Sequence, residues 1–306
     1  MTKVFIDGSA GTTGLRIVER LSQRADLQLL ILSDEQRKDP AARAEALAQS
    51  EIAFLCLPDD AARESVALAA GSKVKIIDTS TAHRTDPNWA YGMPELSGNR
   101  DKIANSSRIA NPGCHASGFI ALVAPLVEQG ILPKDAALSC FSLTGYSGGG
   151  KKMIAQYQDA DRSGLYNAPR QYALGQSHKH LPEMSAVCGI DTAPIFCPIV
   201  GEVYSGMEVT VPLFANQVKG NLEDIRELYK NYYTQGLIHF EEADEDGLLS
   251  ACAYSGRDDM GVSAFGNADR IILTARFDNL GKGASGAAIQ NMNILLGLEE
   301  ATGLST

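Results

Sequence analysis

What the sequence lacks already narrows its class. No apolar run approaches the ~20 residues that span a bilayer. No signal-peptide pattern opens the chain, because Lys3-Val4-Phe5-Ile6-Asp7 reads at once as a strand. Positive charge is scarce: 27 Lys and Arg stand against 37 Asp and Glu, a formal net charge of −10. That balance argues against nucleic acid or an anionic membrane as a partner. It leaves room for a small phosphorylated ligand, since a local cluster of donors overrides the global sign. No CxxC pair occurs. The cysteines, Cys56, Cys114, Cys140, Cys188, Cys197 and Cys252, are scattered as in a protein with reduced thiols rather than a disulfide framework. There is no internal repeat and no low-complexity linker. These absences lead to the expectation of a cytoplasmic globular protein.

At 306 residues the chain exceeds what one core usually supports, so two domains are expected. The first third alternates apolar strands and amphipathic helices. Strands are read at 27–32, 52–57 and 74–78, and helices at 41–49 and 60–70, the latter capped by Asp59 or Asp60. Continuous apolar strands between helices predict a Rossmann-type, doubly wound parallel sheet. After Cys114 the rhythm loosens. Strands at 137–143, 195–200, 207–213 and 270–276 with irregular connections predict an α+β catalytic and oligomerisation domain with a mostly antiparallel or mixed sheet. A closing helix is read at 284–296. The expected domains are 1–113 with 285–306, which binds a dinucleotide, and 114–284, which carries catalysis and dimerisation.

Between the first strand and a helix at 15–21 lies Gly8-Ser9-Ala10-Gly11-Thr12-Thr13-Gly14. A glycine-rich turn in that context is what a dinucleotide diphosphate needs. Gly8 allows the sharp turn, Gly11 lets the backbone approach the pyrophosphate, and Gly14 lets helix and sheet pack closely. Ser9, Thr12 and Thr13 join this cofactor set, with the diphosphate on the helix N-terminus. On the helix, Leu15, Val18 and Leu21 form the expected inward stripe. After the second strand, Ser33 occupies the expected strand end and Arg37, with Lys38, can meet a 2′-phosphate, whereas Asp34 and Glu35 pull towards ribose hydroxyls.

Asn111-Pro112-Gly113-Cys114-His115-Ala116-Ser117-Gly118 sets a thiol on a tight turn before an apolar helical stretch. A helix N-terminus favours thiolate over thiol, so Cys114 is expected to titrate below the ordinary value of about 8.5. A thiolate attacks acyl carbons and forms a thioester. Such chemistry needs an acid/base. His178 and His180, in Gln176-Ser177-His178-Lys179-His180-Leu181-Pro182-Glu183, are the candidates, with His180 nearest the helix start and Glu183 available to orient it. The same pair reads equally as a solvated polar turn. Two histidines at i and i+2 without other ligands do not make a metal site. His83, His115 and His239 are read as structural or surface residues, although His83-Arg84 can reach a ligand.

Two further loops carry substrate-binding candidates. Gly145-Tyr146-Ser147-Gly148-Gly149-Gly150-Lys151-Lys152 offers N–H groups and lysines to a departing phosphate, with Ser147, Gly148 and Lys151 singled out. Asp78-Thr79-Ser80-Thr81-Ala82-His83-Arg84 leaves the carboxyl end of a parallel strand, where Ser80 and Arg84 suit an anion. Asn111 completes the substrate set. Glu202 and Asn279 have no assigned place.

Taken in order, Gly8 to Gly14, Asn111 to Cys114, His178 to Glu183, Asp278-Asn279-Leu280-Gly281-Lys282-Gly283-Ala284-Ser285-Gly286 and Gln290-Asn291-Met292-Asn293 resemble the N-acetyl-gamma-glutamyl-phosphate reductase family, in its shorter form. The likeness runs nearly end to end. It departs from the longer form at His115-Ala116-Ser117, where that form has Tyr-Pro-Thr, and this leaves the role of His115 open. The resemblance implies NADP(H) as cofactor and an acyl-phosphate substrate with inorganic phosphate as co-product. It implies Cys114 as nucleophile, His180 or His178 as acid/base, a place in arginine biosynthesis, and a homo-oligomer. Aspartate-semialdehyde dehydrogenase is the alternative enzyme, and a non-catalytic dinucleotide-binding sensor the alternative class.

Overall fold

The computed structural model describes residues 1–242 and 246–306. The chain divides into two compact units, Met1–Pro112 with Ala284–Leu304, and Gly113–Gly283 with Ser305–Thr306. Gly113 thus travels with Cys114, and Ala284 with the closing helix. Among the described residues no helix is long and apolar enough to cross a membrane.

The first unit runs β1 (Thr2–Asp7), α1 (Thr12–Leu21), β2 (Leu27–Leu30), α2 (Pro40–Gln49), β3 (Ile52–Leu55), α3 (Asp59–Leu68), β4 (Lys75–Asp78), β5 (Ala90–Tyr91), α4 (Asn99–Ala104) and β6 (Arg108–Ala110). Its sheet has the order β2-β1-β3-β4-β6-β5 with every pair parallel. This is the doubly wound arrangement read from the alternating pattern. β3 is fully buried from Ile52 to Leu55 because helices cover both faces, which is why its apolar run does not alternate.

Three local readings change. On α1 the inward stripe is Gly14, Ile17 and Leu21, while Leu15 is 49% exposed. Gly14 packs against the Gly8 carbonyl, which places Leu15, about 100° further round the helix, towards solvent. β2 ends at Leu30, so Ser33 lies beyond the strand in the turn that follows. α3 has Pro58 at its N-cap. Asp59 is the first helical residue, and its carboxylate accepts the Thr81 N–H (2.9 Å) and hydroxyl, tying α3 to the segment after β4.

The glycine turn after β1 is braced from below. Buried Arg43 of α2 donates to Asp7 (3.1 Å) and Glu64 (2.6 Å), and the Ser65 hydroxyl also donates to Asp7. The last residue of β1 is thereby fixed against α2 and α3.

The second unit contains α5 (Cys114–Glu128), β7 (Ser139–Gly145), α6 (Gly150–Gln158), β8 (Arg170–Gln171), α7 (Leu181–Cys188), β9 (Ile195–Gly201), β10 (Met207–Phe214), α8 (Leu222–Tyr232), β11 (Ile238–Phe240), β12 (Met260–Gly266) and β13 (Arg270–Phe277). Its sheet order is β11-β12-β13-β10-β7-β9-β8. The β7–β9 and β11–β12 pairs are parallel and the others antiparallel, a mixed sheet. α9 (Gly286–Leu295) closes the first unit after a π-helical turn at Gly281–Ser285, where a continuous helix from residue 284 was expected.

α5 is the axis of the second unit. Every residue from His115 to Val127 is buried, so the helix is apolar all round rather than amphipathic. Full burial of Phe119, Ile120, Leu122 and Val123 contributes about 1.5–3 kcal/mol each. Gly118 permits close packing, since a Cβ there would lie 2.5 Å from Val209. Pro125 has no N–H to give to the carbonyl of Ala121 four residues back. Tyr233 supplies that donor at 2.6 Å, and Tyr229 donates to the neighbouring Leu122 carbonyl at 2.6 Å.

The glycines of the first turn separate into packing and non-packing positions. A Cβ at Gly14 would lie 2.4 Å from the Gly8 carbonyl, whereas one at Gly11 meets nothing nearer than 3.5 Å. Gly14→Ala should therefore destabilise the protein by about 1–3 kcal/mol in denaturant unfolding, and Gly11→Ala should not. Equal stability of both variants would refute the packing role of Gly14.

Candidate active site

Cys114 is the first residue of α5, with Gly113 at the N-cap in extended conformation and no side-chain cap on the helix. The thiol-bearing residue thus stands at the positive end of a long buried helix. It is half-buried, whereas Cys140 and Cys188 are buried and their thiols are pushed up by burial. Gly283 leaves room beside it, because a Cβ there would lie 3.0 Å from the Cys114 Cβ.

α7 meets this corner. His180 is its N-cap, Pro182 lies in its first turn, and Glu183 is 1% exposed. Glu183 Oε1 accepts the Gly113 main-chain N–H at 2.8 Å, which assigns Glu183 to the cysteine turn. His178 and His180 lie with ring centroids 4.7 Å apart, and both rings lie within 5.7 Å of His115. His178 Nδ1 accepts the His180 main-chain N–H (3.2 Å). Burial, helped by the Lys179 charge, lowers the His178 pKa.

Of the two readings of His115, structural or surface, the structure shows a buried, hydrogen-bonded residue. Its Nδ1 bonds the Ser142 hydroxyl (2.6 Å) and its Nε2 the Tyr172 hydroxyl (2.7 Å). Burial first, then His178 and Lys179, push its pKa down to about 3, so the ring is neutral at physiological pH. Tyr172 went unnoticed in the sequence, where nothing in its exposed polar surroundings marks it. Its phenol is pushed up by burial and further by the charge of Cys114.

Other candidates separate into free and committed groups. Ser147 is 1% exposed; its N–H goes to the Tyr204 carbonyl (3.0 Å) and its hydroxyl accepts from Asn279 (3.0 Å). It braces the loop instead of lining it. Asn279 also takes the Gly206 N–H, and Glu202 pairs with Arg162. Gly148 and Lys151 are exposed at the start of α6. In the first unit Arg84 holds the carbonyls of Asn111 and Thr79, both at 3.0 Å, and Ser80 bonds Asp78. His83 stacks on Trp89 and bonds Asp78 at 2.6 Å. Asn111 donates to Ala284 (3.0 Å) and accepts from Asn291 (3.3 Å), so its amide is a brace within that unit. His239 bonds Tyr254 at 2.9 Å.

The glycine turn fits a dinucleotide. Gly8 has φ +86°, and a Cβ there would lie 2.3 Å from the Cys56 carbonyl. α1 starts at a glycine N-cap with no side-chain cap, so its first-turn N–H groups, those of Thr12, Thr13 and Gly14, meet no capping side chain. Ser33 and Arg37 are exposed beyond β2, with Arg37 paired to Asp34 at 3.3 Å. Among the described residues no cluster of His, Cys, Asp and Glu can hold a metal ion.

Comparison with known proteins agrees with both units. Residues 3–106 match the NAD binding domain of semialdehyde dehydrogenases, and residues 114–279 match their dimerisation domain. Solved relatives include aspartate semialdehyde dehydrogenase II of Vibrio cholerae, with a TM-score of 0.75 at 17% identity over 97% of this chain and 98% of that one. An aspartate semialdehyde dehydrogenase with NADP from Candida albicans has a TM-score of 0.69 at 15% identity over 96% and 98% of the two chains. At that identity the fold is what is shared; the two matched domains define the class as semialdehyde-dehydrogenase-like. Nearer in sequence are N-acetyl-gamma-glutamyl-phosphate reductase 2 of Nostoc sp., 45% identical over 99% of both chains, and that of Pseudomonas putida, 42% identical over 98% of both. The Brucella ovis N-acetyl-gamma-glutamyl-phosphate reductase is 44% identical over 96% of this chain and 99% of its own. The chain belongs to the N-acetyl-gamma-glutamyl-phosphate reductase family.

Because Gly11 has only ordinary contacts within the protein, a larger side chain there tests ligand space separately from folding. Gly11→Val should unfold like the parent yet lose NADPH binding by fluorescence titration, since the side chain fills the diphosphate's approach. Unchanged affinity would remove this turn from the cofactor site.

Proposed function

We propose that this chain reduces N-acetyl-L-glutamyl 5-phosphate to N-acetyl-L-glutamate 5-semialdehyde with NADPH, releasing phosphate, as a step of arginine biosynthesis. The observation that carries the chemistry is a half-buried thiol on the first residue of a buried helix, with the histidines of the α7 start grouped around its neighbour. The Cys114 thiolate attacks the acyl carbon and phosphate leaves, giving a thioester. NADPH, when bound at the glycine turn, supplies the hydride. His180 donates a proton to the oxyanion that results and takes it back as the carbonyl re-forms and the thiolate departs. His180 is preferred to His178 because it is the N-cap of α7, three residues before Glu183. Glu183 holds the Gly113 N–H and so fixes the cysteine turn. Gly148 and Lys151, exposed at the α6 start, are the groups we assign to phosphate; Arg84 and Ser80, held by internal bonds after β4, brace that segment instead.

Phosphate-dependent NADP⁺ reduction, assayed with N-acetylglutamate semialdehyde and aspartate semialdehyde in parallel, tests the assignment. Turnover confined to the first substrate, and abolished in Cys114→Ser, is the expected result. Preference for the second makes the chain an aspartate-semialdehyde dehydrogenase, and turnover of neither makes it a sensor. His180→Asn should slow turnover by roughly 10²–10⁴-fold. A larger loss in His178→Asn would exchange the two roles.

We further propose that the chain is a homodimer through the outer face of the mixed sheet. Register puts Thr210 opposite Phe141, Phe141 opposite Cys197 and Pro212 opposite Ile272, so these residues share one face. Phe141, Ile195, Phe214 and Ile272 on it are 45%, 61%, 64% and 43% exposed. A contiguous apolar face of this kind marks an association surface, and it lies in the segment matched to a dimerisation domain. Phe141→Glu should convert the dimer to monomer in sedimentation; a parent that sediments as a monomer would refute the proposal.

A further inference from the structure

The loop that carries His178 and His180 is clamped by a glutamine side chain. β8 ends at Gln171, and Tyr172 adds one more bond to β9, its N–H to the Pro198 carbonyl (3.0 Å). Nearer the start of β9, at Phe196, the strand edge is met by a side chain instead. Gln176 Oε1 accepts the Phe196 N–H (2.8 Å), and Gln176 Nε2 donates to the Phe196 carbonyl (2.7 Å). The amide makes the two bonds that a continuing antiparallel strand would exchange there. Glutamine carries the adjacent acceptor and donor that this requires. The turn so held is strained. Ala173 and Gln176 have φ of +52° and +53°, a left-handed conformation that a side chain disfavours. Such residues persist where surrounding contacts over-determine them. The Gln176 N–H closes this turn on the Ala173 carbonyl (3.1 Å), and its side chain ties the turn to β9.

From Phe196 every step to the histidines is a direct contact. Phe196 is 1% exposed, and its ring meets His178 edge to face with centroids 5.1 Å apart, and His115 at 5.3 Å. His178 meets the His180 ring at 4.7 Å, and its Nδ1 takes the His180 main-chain N–H (3.2 Å). We propose that Gln176 is the positioning residue of the acid/base histidines: its amide fixes Phe196, Phe196 seats His178, and His178 holds the main chain of His180. This rests on the assignment of His180 as acid/base. Without the amide the left-handed turn relaxes, and His180 loses its place at the start of α7. Gln176 itself touches neither thiol nor imidazole in this chain of contacts, so its effect on the reaction passes through Phe196.

The experiment compares Gln176→Ala and Gln176→Glu with the parent, each as the full chain. Gln176 is exposed, so both changes leave the core closed. Glutamate keeps the size of the side chain and the acceptor for the Phe196 N–H, but sets a carboxylate oxygen against the Phe196 carbonyl. In phosphate-dependent NADP⁺ reduction with N-acetylglutamate semialdehyde, kcat should fall about tenfold in both variants while KM for NADP⁺ and phosphate stays within about twofold. Hydrogen exchange, read residue by residue by NMR, is the second arm. The main-chain amides of Phe196 and His180 should both exchange about tenfold faster in both variants, with the amides of the β7–β9 ladder at the parent rate. A parent-like kcat in either variant, or a loss confined to KM, overturns the proposal. So does a faster Phe196 amide beside an unmoved His180 amide, because the clamp then stops short of the histidines. If the parent turns over neither N-acetylglutamate semialdehyde nor aspartate semialdehyde, the functional reading fails, and the exchange arm alone decides whether Gln176 holds His180.

Discussion

The catalytic unit depends on one buried hydrogen bond, from the Gly113 main-chain N–H to Glu183 Oε1 at 2.8 Å. A helix start has N–H groups that need acceptors, and a glycine N-cap brings no side chain to supply one. Here the acceptor comes from another helix. A carboxylate at that place also complements the helix dipole. Because Glu183 lies three residues after His180 on α7, the same bond that fixes the cysteine turn fixes the start of the histidine helix. Nucleophile and acid/base candidates therefore share one frame, and neither can shift without disturbing a buried carboxylate.

That frame needs a rigid axis, and α5 provides it at some cost. The helix has a proline at position 125 and is buried on every side, so each unpaired carbonyl must find a donor inside the protein. Tyr229 and Tyr233 of the α8 region provide them. Glycine at 118 brings the helix onto Val209 and Phe277, and glycine at 283 keeps the corner beside Cys114 free. A helix held this way has little freedom to rotate, which keeps the thiol at the dipole end.

The motifs visible in the sequence are those whose chemistry is local. Gly8 was legible because a strand, a turn and a helix follow one another within a few residues, and its φ of +86° is the conformation such a turn demands. Cys114 was legible because Pro112 and Gly113 mark a helix start. Tyr172 was not: its partner His115 lies 57 residues away, and no periodicity links them. Ser147 looked like a ligand in a glycine-rich loop, yet its hydroxyl meets Asn279, which lies 132 residues further on. Leu15 misled for a different reason. Gly14 and Ile17 take the buried face through the close approach of Gly14 to the turn, and Leu15 is left towards solvent.

Capping follows a pattern that reconciles the chain's charge with an anionic substrate. α2 and α8 begin with capping side chains, Asp39 and Asn221, which take first-turn N–H groups. α1, α5 and α6 begin instead at the glycines Gly11, Gly113 and Gly149, with no side-chain cap. Those helices open at the dinucleotide turn, at Cys114 and at the glycine-rich loop; α4 also begins at an uncapped glycine, Gly98, away in sequence from all three. Replacing each glycine by Asp or Asn would add only a few tenths of a kcal/mol of helix stability on general grounds. At α1 and α6 the absence of a cap leaves the positive helix end without a local side-chain oxygen, whereas at α5 the Glu183 carboxylate takes the Gly113 N–H. A chain of net charge −10 can thus present local positive potential to phosphate groups without a basic surface.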